Sequence, residues 1–149
     1  MNVEIKDDKQ NPFDLANRMY YVFKRLYDED NQLVSFTCLF QETCRFYMLG
    51  LIEYADKKDR LVDGKVNILS LFDLKAFIVA NVPEFQCDWE KIMRVAKYTA
   101  DYCIQESFYE SDDEICMCLN AVETIKKAVN EFVNKTEETT GEIKALKAF

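Results

Sequence analysis

Val34-Ser-Phe-Thr-Cys-Leu-Phe-Gln-Glu-Thr-Cys-Arg-Phe-Tyr-Met-Leu-Gly-Leu-Ile-Glu-Tyr54 is the stretch that decides the fold. At 100° per residue, Phe36, Leu39, Phe40, Cys44, Phe46, Tyr47, Met48 and Leu51 cover more than half of a helical circumference. A helix at the surface of a bundle carries a narrower apolar arc. The segment is therefore predicted to be a central helix, reaching about Lys58, with other helices packed on more than one side. Glu42 and Arg45 interrupt it and would be costly in lipid, so it does not read as a membrane span.

On the N-terminal side, residues 28–32 are polar and turn the chain. The helix before them starts on a clear signal: Asn11 can cap, Pro12 suits the first helical position and Asp14 the first turn. Its predicted inner stripe is Leu15, Ala16, Met19, Val22, Phe23 and Leu26, with Tyr21 on the opposite side beside Asn17 and Arg25. Residues 1–10 read as a polar arm.

On the C-terminal side, residues 56–64 form the main loop, with Asp63-Gly64 as its turn signal and a brief extended piece over 65–69. Ser70 reads as the cap of a short helix in which Leu71, Phe72, Leu74, Phe77 and Ile78 are expected to be mostly buried. Val82-Pro83 ends that helix, because the residue before proline avoids helical geometry. Asp88 opens the next, where Trp89, Ile92, Met93, Ala96, Ala100 and Cys103 share one face. Ser111-Asp-Asp-Glu114 is a capping box for the last long helix, whose stripe is Ile115, Cys118, Leu119, Val122, Ile125, Val129 and Phe132. After Val133 the sequence turns polar, and Gly141 is a candidate break before a helical tail. The expectation is an all-α, single-domain bundle of about five main helices over 11–134, followed by a polar, partly helical tail over 135–149.

Composition agrees with that plan. Of 149 residues, 49% are hydrophobic and 31% charged, enough for a core and unlike a disordered chain. Only 3 glycines and 2 prolines are present, which favours long helices over many tight turns.

Composition also prunes the functions. A formal net charge of −8 argues against direct binding of nucleic acid or an anionic membrane, whose recognition rests on Lys and Arg. It suits a protein partner, with a basic surface as its complement. The chain has no histidine, so the usual general base, the Ser-His and Cys-His pairs and the commonest metal ligand are missing. Six cysteines remain: Cys38, Cys44, Cys87, Cys103, Cys116 and Cys118. No C-x-x-C pair is among them, and Cys116 and Cys118 point to different faces of a helix, so zinc is not expected. Residues 1–6 hold no apolar signal region, so the cysteines are expected to be reduced core residues of an intracellular protein, cytoplasmic or nuclear.

Residues 59–67 align a glycine, Gly64, and an apolar residue, Val66, with a calcium-binding EF-hand loop. Leu61 stands at its third position and Ser70 at its twelfth, which calls for a bidentate Glu. In a second such loop, 28–39, Leu33 replaces the glycine. A degenerate, metal-free EF-hand-like pair and an ordinary acidic turn are the two readings. Pairing of Val34 with Val66 would mark the first. Glu42 and Glu53, eleven residues apart, share a face but stand about 16 Å apart along the axis, and both project to the polar side. No phosphate loop, dinucleotide fingerprint or nucleophile elbow occurs. The sequence therefore implies no enzyme, no cofactor and no metal.

What remains is a recognition surface. Tyr98 and Tyr102, four residues apart, point away from the Trp89 stripe beside Val95, and Tyr21 is likewise off its core face. These three are the candidate partner-binding residues, since tyrosine adds contact area while its hydroxyl tolerates water. A second packed face on the Asp88 helix is the alternative explanation for the pair.

In length, in its cysteine- and tyrosine-rich composition and in the helix pair from Ile92 to Phe132, the layout resembles the apoptosis-regulator-like bundles that poxviruses use against host signalling. The resemblance covers about a third of the chain and includes no specific motif. The Asn-Trp-Gly-Arg signature of the cellular family is missing; only Asp88-Trp89-Glu90-Lys91 stands near it. It implies a host-modulating interaction role. The expected function is thus a non-enzymatic protein–protein interaction or regulatory module. A viral host-modulating bundle, a metal-free EF-hand-like module and an acidic mimic of nucleic acid are the competing forms.

Overall fold

The computed structural model describes residues 12–29, 36–58, 60, 70–104 and 112–148. Five helices make up its regular structure: α1 Pro12–Asp28, α2 Phe36–Lys57, α3 Leu71–Asn81, α4 Trp89–Ile104 and α5 Asp112–Ala148. No strand occurs among the described residues. The 65–69 piece, Val34 and Val66, most of the candidate calcium loop, Ser111 and the 1–10 arm lie outside them.

The wide arc of α2 is used as predicted. Phe36, Phe40, Cys44, Tyr47, Met48 and Leu51 are all 2% exposed or less, and α2 packs against each of the other four helices. α1 runs antiparallel along it: Phe13 meets Tyr54 with ring centroids 6.1 Å apart, and Phe23 meets Phe36 at 5.2 Å. Between them the Tyr47 hydroxyl donates to Asn17 Oδ1 at 2.6 Å. Close approach of the two helices is set by Gly50, where a Cβ would lie 2.8 Å from Phe13 Cε1 and closer still to Cδ1.

The stripe of α1 is turned from the one expected. Ala16 and Phe23 are buried and Phe13, Tyr20 and Tyr27 pack on the core, but Val22 is 45% exposed. The cause is Tyr20. Its hydroxyl donates to Glu123 Oε2 of α5 at 2.8 Å, and Lys126 Nζ sits 5.1 Å from its ring centroid. An amphipathic tyrosine with those partners wins the inner edge, and the opposite edge, with Val22, rotates outward.

α3 begins where Ser70 Oγ accepts from the Asp73 N–H at 3.1 Å and stops before Pro83, with the Val82 N–H donating to the Ile78 carbonyl at 2.8 Å. Phe85 in the following turn wedges against Trp89 and Phe132, both at 5.8 Å. Asp88 Oδ1 then caps α4 by accepting from the Lys91 N–H at 3.2 Å.

α4 too is rotated from its predicted stripe. Ile92, Val95, Ala96 and Thr99 are buried, whereas Trp89 and Met93 are only partly so. Val95, expected beside the off-core tyrosines, is 4% exposed. Gln41 of α2 explains the turn. Its Nε2 donates to Thr99 Oγ1 at 2.7 Å and to the Ala96 carbonyl at 3.4 Å, and the Thr99 hydroxyl donates back to Ala96 O at 3.1 Å. A threonine satisfied in this way can be buried like valine. Thr43 and Thr136 follow the same rule, donating to Leu39 O and Phe132 O.

α5 continues past Asn134, where the sequence places the end of the bundle, and runs through Gly141 to Ala148. Thr136 is 4% exposed, and Glu137 accepts from the Tyr54 hydroxyl at 3.0 Å while pairing with Lys58 at 3.4 Å. A glycine in a helix costs only about 1 kcal/mol relative to alanine, and the residues that follow Gly141, Glu142-Ile-Lys-Ala-Leu-Lys-Ala148, are mostly strong helix formers.

Candidate interaction surface

The chemistry-bearing candidates come first. Glu42 and Glu53 stand on the exposed outer arc of α2, each beside a basic neighbour: Arg45 at 3.9 Å and Lys57 at 3.3 Å. Cys44, Cys87 and Cys116 are unbridged thiols. Burial pushes the Cys44 thiol well above its ordinary range and the Cys87 thiol up to about 12. Thiols held protonated in this way are poor nucleophiles. Two open polar clefts, of about 140 and 130 Å³, share Glu84, Phe132 and Lys135. Charges of both signs line them, and Arg60 Nη1 is already engaged with Glu84 Oε2 at 2.7 Å. Among the described residues no group of three or more Cys, Asp or Glu is arranged to hold a metal ion.

The phenols at helix contacts have a measurable consequence. Burial, and then the hydrogen bond to Glu123, pushes Tyr20 up to about 12, and burial with Glu137 does the same for Tyr54. Their folded values exceed the unfolded value of about 10, so their stabilisation is complete below pH 10 and lost as pH rises through about 12. The buried Cys44 thiol and the partly buried Cys87 thiol, shifted the same way from 9.0, add to the loss from about pH 9 upward. The urea midpoint is accordingly expected to fall between pH 10 and 12, and to fall less steeply in a Tyr20→Phe, Tyr54→Phe double variant. Equal slopes for both proteins would show that these hydroxyls carry none of the alkaline sensitivity.

Of the tyrosines singled out by sequence, Tyr21 is 64% exposed on α1 and Tyr98 is 40% exposed on α4. The side chain of Tyr102 lies outside the described residues. The structure does not bring Tyr21 and Tyr98 together. Phe36 and Gly50 mark the arc of α2 that faces α1, and Gln41 the arc that faces α4. At 100° per residue these arcs are roughly 140–180° apart.

The surface that sequence reasoning missed is on α3. Leu71, Leu74 and Ile78 are buried against the bundle, as expected. Phe72, expected among them, is 44% exposed. With it on the outer side stand Val79, 52% exposed, and the exposed Ala76 and Ala80, followed in the turn by exposed Pro83. Phe72, Ala76 and Val79 have the i, i+4, i+7 spacing of a single helical stripe. The signal was legible in one respect: Leu-Phe-Asp-Leu-Lys-Ala-Phe-Ile-Val-Ala-Asn is apolar all round, with Asp73, Lys75 and Asn81 its only polar residues. Such a helix is normally enclosed, yet among the described residues this one contacts α2 and α4 on its inner side and leaves Phe72 and Val79 exposed on the outer one. Among the described residues no helix is long and apolar enough to cross a membrane. No protein-family model, no curated protein and no solved structure matches this sequence.

Proposed function

We propose that the chain is a non-enzymatic protein–protein interaction module that takes its partner on the outer face of α3. The observation that carries this reading is the outward stripe of Phe72, Ala76 and Val79 on a helix whose inner face is already committed to the core. Contiguous exposed apolar residues mark interaction sites more often than isolated ones do, and aromatic anchors at their centre dominate binding energy. The missing histidine, the raised pKa of the Cys44 and Cys87 thiols and clefts of mixed charge support the non-enzymatic reading. The unbridged Cys44, Cys87 and Cys116 support an intracellular setting. The net charge of −8 favours a partner with a basic surface around its apolar contact. Tyr21 and Tyr98 offer secondary contacts on other faces.

The test compares the immobilised full chain with a Phe72→Glu, Val79→Glu variant in capturing proteins from the native source, followed by titration of the recovered partner. The variant is expected to bind at least tenfold more weakly, about 1.4 kcal/mol. It should melt within a few degrees of the parent, since surface changes seldom exceed 0.5 kcal/mol each. Unchanged binding by the double variant, with loss on Tyr98→Ala or Tyr21→Ala, moves the site to the tyrosines and overturns the assignment. A basic nucleic-acid-binding protein as the partner would bring mimicry forward. A death-pathway or signalling protein would bring forward the host-modulating form.

A further inference from the structure

We draw no further inference here: the strongest candidate, the partly exposed apolar shoulder of α1 formed by Leu15, Met19 and Val22, is an unpartnered helix face, and nothing in the structure shows what covers it.

Discussion

Replacing Phe40 by alanine is expected to destabilise the protein by about 3–5 kcal/mol, the usual cost of deleting a fully enclosed phenyl ring. Phe40 is 0% exposed and lies near the middle of the inner arc of α2. The loss combines the transfer energy of the ring with the cavity left behind, because helices that pack α2 from several sides cannot all close on the gap. For a chain of this size about 1 kcal/mol moves the melting temperature by roughly 2–4 °C, so a drop of about 6–20 °C should appear. Glu42→Ala, two residues away on the exposed arc, is the control and should stay within about 0.5 kcal/mol of the parent. Similar melting of the two variants would mean that α2 is not enclosed as described.

The second large effect is expected at Gly50. Valine there would place three side-chain carbons where even a Cβ meets the Phe13 ring, 2.8 Å from Cε1 and 3.1 Å from Cγ. Either the ring or the whole N-terminal half of α1 must move away from α2. Overpacking of this kind costs about 1–3 kcal/mol, whereas the gain in helix propensity over glycine is only a few tenths. The clash has one identifiable cause, so it should be reversible at a second site. In a Phe13→Ala background, Gly50→Val is expected to cost little or to stabilise, giving a coupling of at least 0.5 kcal/mol in a double-mutant cycle. Additive effects of the two changes would show that the ring is not what limits the approach.

How much of this was legible in the sequence follows from where the periodicity is strong. The breadth of the apolar arc in 36–54 identified the central helix, and Ser70 and Asp88 announced their caps through side-chain chemistry that acts locally. The rotations of α1 and α4 were not legible, because polar atoms satisfied by another helix decide them. Tyr20 goes inward for Glu123, and Thr99 for Gln41, partners 103 and 58 residues away in sequence. Phe72 failed for a different reason. A helix that is apolar on every side has no phase from which to read its buried face, so only the position of α3 at the rim of the bundle could show which residues face outward. The continuation of α5 through Gly141 shows that a single glycine, at about 1 kcal/mol, is a weak stop inside a long helix.

Leu71, Leu74 and Ile78 hold α3 to the bundle, and Phe72, Ala76 and Val79 on its outer face are the residues proposed to meet the partner. Hydrogen exchange followed by mass spectrometry, on the protein alone and saturated with the recovered partner, reads that division directly. The predicted result is slowed exchange over residues 71–81 in the complex, with α1 and the exposed side of α4 unchanged. Exchange over 71–81 that is the same in both states, with protection around Tyr21 or Tyr98 instead, would contradict it.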